Sequence, residues 1–150
     1  MNKILFKTKA FNELSLVELY QILQLRSEVF VVEQDCVYQD LDGKDEKALH
    51  VMGYHRETVV AYARLFAPGI YFNDAAIGRV VVHQNYRALK LGRKLMETAM
   101  DGIVKHYKTN AITVSAQLYL KRFYEDHGFT QEGETYLEDG IPHIRMHAEL

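Results

Sequence analysis

Residues 76–107, AIGRVVVHQNYRALKLGRKLMETAMDGIVKHY, decide the fold of this chain. They open with an apolar run at 77–82 that is rich in β-branched residues and typical of a buried strand. They end in a pattern that places the larger apolar side chains on one face of a helix. These side chains are Leu91, Leu95, Met96, Ala99, Ile103 and Tyr107. The stretch therefore predicts a strand, a short loop and an amphipathic helix.

The short loop of this stretch carries positive charge. Arg87 and Lys90 precede the helix, and Gly92 and Arg93 stand in its first turn. The free N–H groups at a helix start point outward, and the helix dipole favours an anion there. Arginine and lysine side chains add charge-assisted hydrogen bonds. We therefore predict that this loop binds a phosphate group; the alternative is an ordinary surface turn with solvated cations.

The composition argues against several classes of protein. The chain has 150 residues, 48% of them hydrophobic, and a formal net charge of −2. Its length and apolar content predict a single domain, residues 1–150, and its near-zero charge argues against nucleic-acid binding. No apolar run reaches the roughly 18 residues of a membrane span, and residues 1–7 lack the apolar core of a signal peptide. The single cysteine, Cys36, fits a reducing compartment, so we expect a cytoplasmic protein.

Hydrophobic patterns predict the remaining strands and helices. Ser15 and Glu18 form a capping box that starts the first helix, which should fade at 29–32, where β-branched residues cluster. Residues 119–127 predict a short helix that ends at Gly128, and an Asp-Gly turn at 139–140 predicts a C-terminal hairpin. The predicted strands are 3–8, 49–55, 59–66, 77–82, 111–116, 130–137 and 141–148. This order predicts a mixed sheet covered by helices.

Four segments resemble one family, the Gcn5-related N-acetyltransferases (GNAT). The loop RALKLG at 87–92 is similar to the family's Arg/Gln-x-x-Gly-x-Gly/Ala pyrophosphate loop. Lys90 stands where the first glycine is usual, and a lysine reaches positive φ only at a cost. The segment FYEDHGF at 123–129 matches the signature of the family's last helix. Two more segments, RSEVFVVEQ at 26–34 and YLEDGIPH at 136–143, look like the ElaA branch of the family.

This resemblance implies an α/β (α+β) acyl-CoA N-acyltransferase fold. Its sheet would be mixed, mostly antiparallel and of about seven strands, flanked by helices and splayed between strands 4 and 5. The resemblance also implies acetyl-coenzyme A as the co-substrate. The backbone of Val80, Val81 and Val82 would then pair with the pantetheine arm. The pyrophosphate would lie on the loop Arg87, Ala88, Leu89, Lys90, Leu91, Gly92 and Arg93.

The resemblance further implies roles in the chemistry. Tyr124 stands at the family's general-acid position, where its phenol would protonate the departing sulfur, and Gln117 would bond the pantetheine amides. Without the family signature, a tyrosine in this pattern is more often a plain core aromatic. A base must also take a proton from the amine, whose pKa is about 10. We favour Glu33 as this base, with His83 and His143 as alternatives.

An acidic segment such as 35–46 is most often a solvent-exposed face of a protein. The alternative is a negatively charged lip of a binding site, which would attract a cationic amine. Arg26 and Arg64 are expected to pair with its carboxylates more readily than to contact a substrate. The seven histidines do not have the spacing of a metal site, so no metal is expected. Cys36 lacks a recognisable nucleophile motif.

Two functions remain open. The first is an N-acetyltransferase that passes acetyl directly to a primary amine, without a covalent acetyl-enzyme. The second is a non-catalytic module that binds or senses acyl-coenzyme A. The acceptor is open among polyamine-like compounds, aminosugars, amino acids and protein amines. We expect no nucleic-acid or membrane partner, and the tail strand at 141–150 suggests a homodimer because edge strands invite pairing.

Overall fold

The computed structural model describes residues 3–150 and contains a seven-stranded sheet flanked by helices. Met1 and Asn2, which begin the segment predicted to lack a signal peptide, lie outside the described residues. The strands are β1 (Ile4–Ala10), β2 (Leu49–His55), β3 (Thr58–Phe66), β4 (Ala75–Val82), β5 (Ala111–Gln117), β6 (Thr130–Glu138) and β7 (Ile141–Glu149). The α-helices are α1 (Leu16–Arg26), α2 (Leu91–Tyr107) and α3 (Lys121–Glu125).

The sheet opens at its centre. Its strand order is β1-β2-β3-β4-β5-β7-β6, and every neighbouring pair is antiparallel except β4 with β5, which is parallel. These two strands pair only at Ala75 with Ile112 and at Ala76 with Thr113. Beyond these pairs they diverge, and within residues 3–150 the backbone edges that face each other have no strand partner. The mixed fold and the predicted splay between strands 4 and 5 are therefore confirmed.

The first helix begins as predicted and ends differently. The Glu18 N–H donates to Ser15 Oγ at 3.0 Å, and the Ser15 N–H donates to Glu18 Oε1 at 2.9 Å, which completes the capping box. Instead of fading at 29–32, the chain continues as a wider, π-helical segment, Ser27–Glu33. Such wide turns often mark functional sites. Here the segment carries Glu33 to the opening between β4 and β5.

Two hydrophobic cores cover the two faces of the sheet. On one face, α2 packs Leu95, Met96 and Ile103 against the central strands. Its close approach favours Gly102, where a Cβ atom would lie 2.9 Å from Leu65 Cδ1 and would force that buried side chain to shift. On the other face, α1 and the π-helical segment pack against β2, β3 and β4. The opening between β4 and β5 therefore has a wall on each face.

A buried charge network ties the acidic segment 35–46 to the sheet. Its members are Arg26, Arg64, Arg79, Asp40, Asp42 and Asp45. Arg26 Nε lies 2.8 Å from Asp40 Oδ2, and Arg26 Nη1 lies 2.8 Å from Asp45 Oδ1. Arg64 pairs with Asp42 and Asp45. The predicted pairing of Arg26 and Arg64 with this segment is confirmed, and these three carboxylates are not a free lip for a cationic amine.

Two details near the C-terminus correct the sequence interpretation. The helix predicted at 119–127 is a 3₁₀ turn, Leu118–Leu120, followed by the single short helix α3, and Gly128 follows with φ +91°. The tail strand β7 lies between β5 and β6, so it is not an edge. The edge on this side of the sheet is β6. The argument that a homodimer pairs through residues 141–150 therefore loses its basis.

Candidate active site

A cavity of ≈ 590 Å³ occupies the opening between β4 and β5. Its walls come from both diverging strands, the π-helical segment, the start of α2, α3 and the turn between β6 and β7. The two ends of the cavity differ in charge. Arg87, Lys90 and Arg93 line the end at α2, whereas Glu138 and Asp139 line the end at the β6–β7 turn. We call these the cationic end and the acidic end.

The cationic end contains the loop that was predicted to bind phosphate. Lys90 adopts a left-handed backbone with φ 54° and ψ 31°, immediately before α2. This is the conformation that the usual glycine would supply, and it costs a non-glycine residue about 1–2 kcal/mol. Lysine therefore takes over the backbone shape of the missing glycine and adds a charge. Lys90 departs from the family pattern in residue type, but its backbone has the positive φ that we expected to be costly.

Gly92 faces the cavity from the first turn of α2. A Cβ atom at this position would meet Phe123 Cε1 at 3.5 Å, which is ordinary van der Waals contact. Protein packing alone therefore does not demand glycine here. The bare backbone leaves room for a ligand to approach the free N–H groups of the helix start. Other members of the predicted loop lie elsewhere: Leu91 is buried in the core, and Ala88 and Leu89 are exposed to solvent.

Glu33 and Arg87 form a bidentate ion pair across the cavity mouth. Arg87 Nη1 lies 2.6 Å from Glu33 Oε2, and Arg87 Nη2 lies 2.9 Å from Glu33 Oε1. Arg87 Nε also donates to the carbonyl oxygen of Val82 at 3.0 Å. The hydrogen bond from Arg87 lowers the pKa of Glu33, which makes this carboxylate a weaker base. The assignment of Glu33 as general base stays a prediction, and this arrangement does not favour it.

The edge of β4 beyond Ala76 supplies open backbone to the cavity. Arg79 has φ 50°, a left-handed conformation that forms a bulge, and the pairing register with β3 shifts at the same level. Val80, Val81 and Val82 follow the bulge and line the cavity, although the side chain of Val81 is buried in the α1-side core. On its other edge β4 pairs with β3, for example at Val82 with Ala61. Backbone groups on the free edge are available to an extended ligand.

Tyr124 reaches the cavity from α3 and is only 5% exposed. Its ring packs edge-on against Phe123 and Phe129. Within residues 3–150 its hydroxyl makes no hydrogen bond to protein. Burial raises the pKa of this phenol, so the group stays protonated and can act as a hydrogen-bond donor. The structure thus makes Tyr124 both a core aromatic and a cavity residue, and its role in acid catalysis remains a prediction.

Gln117, at the end of β5, is paired with a residue that the sequence did not indicate. Gln117 Nε2 donates to Gln34 Oε1 at 3.1 Å, and Gln34 Nε2 donates back to Gln117 Oε1 at 3.0 Å. Both residues line the cavity. The amide pair bridges β5 to the end of the π-helical segment. A ligand that bonds Gln117 through its side chain would have to share or replace the contact with Gln34.

The acidic end holds a cluster of polar side chains that the sequence did not predict as a unit. His143 Nε2 lies 3.4 Å from Glu138 Oε2, and Ser115 Oγ donates to Glu138 Oε1 at 3.2 Å. Ser115 also hydrogen-bonds the hydroxyl of Tyr136. Cys36 lies nearby and donates from Sγ to the carbonyl oxygen of Asp139 at 3.4 Å. In the sequence, residues 136–143 were noted only for their resemblance to the family. Nothing in the sequence indicated that they contact Ser115, because this contact depends on the strand order.

The third base candidate lies outside this cluster. His83 Nε2 is 3.7 Å from Glu28 Oε2, and its Nδ1 accepts the Asn85 N–H at 3.1 Å. It therefore caps the turn before α2 instead of facing the acidic end. Across residues 3–150, no group of three or more His, Cys, Asp and Glu side chains has the arrangement of a metal site. In the same part of the chain, no helix has both the length and the apolar character needed to cross a membrane.

Comparisons with known proteins agree with this geometry. Residues 12–150 match the family model described as an acetyltransferase (GNAT) domain. Protein ElaA of Escherichia coli (strain K12) is 41% identical over 141 residues, which are 93% of this chain and 92% of that protein. The crystal structure of Escherichia coli ElaA superposes with a TM-score of 0.91 at 39% identity, covering 98% of this chain and 100% of that chain.

A second solved structure carries a functional name. An acyl-CoA N-acyltransferase from Pseudomonas aeruginosa superposes with a TM-score of 0.89 at 41% identity, covering 95% of this chain and 98% of that chain. The opened sheet and the cavity at its centre are therefore found in a fold that is shared with acyl-CoA-dependent enzymes.

Proposed function

Because this chain belongs to the GNAT acetyltransferase family and is similar to ElaA within it, we propose that it transfers acetyl from acetyl-coenzyme A directly to a primary amine. The family and the fold support acyl-CoA-dependent N-acyltransferase activity of this chain in general. We further propose that the acyl group is acetyl, that the acceptor is a primary amine, and that specific cavity residues serve the reaction.

The cavity between the diverging strands carries this proposal. At its cationic end, the N–H groups of the α2 start would bind the pyrophosphate, with charge from Arg87, Lys90 and Arg93. We assign the loop backbone of Ala88, Leu89, Leu91 and Gly92 to the same group. From there the pantetheine arm would run along the free edge of β4 as an added strand. We assign this pairing to Val80, Val81 and Val82, with Gln117 bonding an amide of the arm.

Acyl transfer from a thioester makes three demands on the site: a neutral amine, donors for the oxyanion and a stabilised leaving thiolate. An N–H group on the free edge of β4 would serve the oxyanion. Tyr124 would serve the thiolate, since its buried phenol is protonated and free to donate. The pKa of a thiol is about 8.5, below that of this phenol. Tyr124 therefore contributes mainly through a hydrogen bond to the departing sulfur.

Direct transfer needs no acyl-cysteine. Cys36 lines the cavity, but its thiol donates to the backbone carbonyl oxygen of Asp139, and within residues 3–150 it makes no hydrogen bond to a side chain that could activate it as a nucleophile. An amine held against the thioester carbonyl can attack it without an intermediate. A Cys36→Ser variant should therefore keep its turnover, and steady-state kinetics should show a ternary complex.

The experiment is calorimetry with acetyl-coenzyme A, followed by thiol release with a panel of amines. The panel holds spermidine, glucosamine, free lysine and a lysine-containing peptide. We expect binding by the wild type, thiol release with at least one amine, and a loss of kcat in Tyr124→Phe of about a hundredfold or more at unchanged donor affinity. An His106→Gln variant, at the exposed end of α2, serves as the control.

Each outcome has a defined meaning. Absence of donor binding would contradict the proposal and the non-catalytic alternative together. Binding without thiol release for any amine would favour the module that senses acyl-coenzyme A. Obligatory ping-pong kinetics, abolished by Cys36→Ser, would replace direct transfer with a cysteine intermediate.

A further inference from the structure

The proposed transfer lacks a proton acceptor for the amine, because Glu33 is engaged by Arg87. We propose that His143 Nε2 accepts this proton. Glu138 lies beside it and would bind the ammonium group of the substrate before the proton transfer and stabilise the imidazolium of His143 after it. This inference rests on the proposed function and adds its missing base. It also defines the acceptor as a cationic amine.

The hydrogen bonds of His143 determine which ring nitrogen can accept a proton. His143 Nδ1 lies 2.7 Å from the carbonyl oxygen of Ile141. A carbonyl oxygen only accepts, so Nδ1 carries the hydrogen and the neutral ring has its lone pair on Nε2. Nε2 lies 3.4 Å from Glu138 Oε2. A proton that arrives at Nε2 therefore creates an imidazolium directly beside a carboxylate.

The sheet places His143 level with the expected path of the thioester. His143 on β7 pairs with Gln117 on β5, and paired residues project to the same face. Ser115, two residues before Gln117, projects to that face as well. All three line the cavity. Gln117 is assigned to the pantetheine arm. His143 lies one strand away from Gln117, towards the acidic end of the cavity.

Tyr124 belongs to the opposite face. It packs in the core formed with α2, together with Val114 and Ile144, which alternate with the cavity-facing residues of β5 and β7. His143 and Tyr124 thus approach the opening between the strands from its two sides. This separation suits the reaction, since the amine arrives on one side of the thioester carbonyl and the thiolate leaves on another.

The charges at the acidic end favour a cation. The side chain of Glu138 is 40% exposed and that of His143 is 8% exposed, so the carboxylate is open to the cavity while the ring behind it is enclosed. Arg79 is already engaged, with Nε 2.8 Å from Asp40 Oδ1. The titratable and charged groups at this end are Cys36, Tyr38, Arg79, Tyr136, Glu138 and Asp139, and Arg64 and Tyr71 adjoin Glu138 in a small neighbouring pocket.

The proposed step couples acyl transfer to the loss of two protons from the amine nitrogen. An alkylammonium binds at Glu138 and gives one proton to His143 Nε2, which leaves a neutral amine. The nitrogen lone pair forms the C–N bond, and the C–S bond breaks with its electron pair on sulfur. The second proton of the nitrogen ends on the thiolate, and the proton on His143 returns to solvent. The products are an N-acetyl amine, free coenzyme A thiol and one proton.

The competing interpretation is that His143 is structural. Its ring stacks on Tyr136 with centroids 6.1 Å apart, and Nδ1 bonds a carbonyl of its own strand. A purely structural histidine would lower stability when replaced. It would not change the pH dependence of turnover or respond to added imidazole.

The test uses His143→Gln and His143→Ala in the full chain, with His106→Gln as the matched control. In His143→Gln we expect kcat/KM for the amine to fall about a hundredfold or more, and its rise with pH to lose the wild-type inflection. Affinity for coenzyme A by calorimetry should stay unchanged. Added imidazole should restore part of the rate in His143→Ala. Glu138→Gln should raise KM for the most cationic amines of the panel.

Two results would overturn this inference. One is a His143→Gln protein that keeps the wild-type kcat/KM and pH profile. The other is a His143→Ala protein that remains folded by thermal unfolding but gains no rate from imidazole. A wild type that releases no thiol with any amine would overturn the proposed function as well, so the two failures are distinguishable.

Discussion

Two groups of basic residues flank β4, and they have opposite environments. Arg26 and Arg64 are fully buried, and each is paired with two carboxylates of the acidic segment 35–46. Arg87, Lys90 and Arg93 are exposed at the start of α2. There, Arg93 has only an exposed contact to Glu97 at 3.4 Å, and Lys90 forms no ion pair within residues 3–150.

This difference in environment separates basic residues that stabilise the fold from basic residues that can bind a ligand. A guanidinium that is buried among fixed carboxylates cannot be given up to a ligand, because its removal leaves charges unpaired in a medium of low dielectric. An exposed cation at a helix start loses little when it exchanges water or a weak partner for a phosphate. The first group therefore holds a loop on the sheet. In the second group Lys90 and Arg93 are available for binding, whereas Arg87 must exchange its bidentate pair with Glu33 for the ligand.

The largest expected effect comes from breaking the buried group. Arg26→Met should lower the free energy of unfolding by about 3–5 kcal/mol, since Asp40 and Asp45 lose a partner while they remain largely buried. Urea unfolding measures this value. Arg122→Met is the control: that side chain is 85% exposed, and its loss should change stability by no more than about 0.5 kcal/mol. Equal stability of both variants would show that the network is not structural.

Acid should weaken the same group. Burial alone would raise the pKa of Asp42, but the hydrogen bond and charge of Arg64 outweigh burial and hold that pKa well below its usual range. Arg26 likewise outweighs burial and lowers the pKa of Asp45. A carboxylate with a lowered folded-state pKa stabilises the fold above its unfolded pKa of about 3.9, and the gain is lost as pH falls towards the folded value.

The effect of acid is measured as the urea concentration at the midpoint of unfolding. It is compared for the wild type and for Asp42→Asn between neutral pH and strong acid. The wild-type midpoint should fall steeply below a pH of about 4. The variant should start lower at neutral pH and show a shallower fall, because it has no proton to take up at this position. Parallel curves for the two proteins would show that Asp42 does not contribute to the loss of stability in acid.

Local features of the sequence predicted much of this structure. The capping box at Ser15 and Glu18, the strand–loop–helix at 76–107 and the terminal hairpin depend on neighbours within one or two turns. The opened sheet was implied by family resemblance and is confirmed by the two isolated pairs between β4 and β5. The strand bounds differ from the predicted ones by one or two residues, as helix and strand ends usually do.

The site was predicted less completely because its contacts join distant segments. Glu33 and Arg87 are 54 positions apart, and Gln34 and Gln117 are 83 apart. No local pattern indicates that two such side chains meet. The cluster of Ser115, Glu138 and His143 depends on β7 lying between β5 and β6, and the chain order alone suggested a tail strand at the edge.

The exposed group is tested next, through the pair of Arg87 and Glu33. Arg87→Met should weaken coenzyme A binding by about 10- to 100-fold, since charge-assisted hydrogen bonds contribute about 1.5–3 kcal/mol. Glu33→Gln should strengthen binding several-fold, because the phosphate no longer competes with a carboxylate for the guanidinium. Calorimetry measures both. Both effects should shrink at high salt, as expected for exposed charges.

Glu33→Gln also decides between two roles of Glu33. If its kcat/KM for the amine falls and loses the wild-type pH dependence, Glu33 is the base that the sequence favoured, in place of His143. If its turnover matches the wild type across pH, that assignment ends. Weaker binding of coenzyme A by this variant would contradict the competition and show that Glu33 positions Arg87 for the ligand.

The smallest expected effect concerns Lys90, where fold and function oppose each other in one residue. Its left-handed backbone favours glycine, whereas its charge favours an anion. Lys90→Gly should raise the free energy of unfolding by up to about 1 kcal/mol over Lys90→Ala, which keeps the strain. Both variants should bind coenzyme A a few-fold more weakly than the wild type, by an equal factor that disappears at high salt. If only the alanine variant binds weakly, backbone shape governs affinity. The lysine is then an imperfect glycine, and its charge does not contribute to binding.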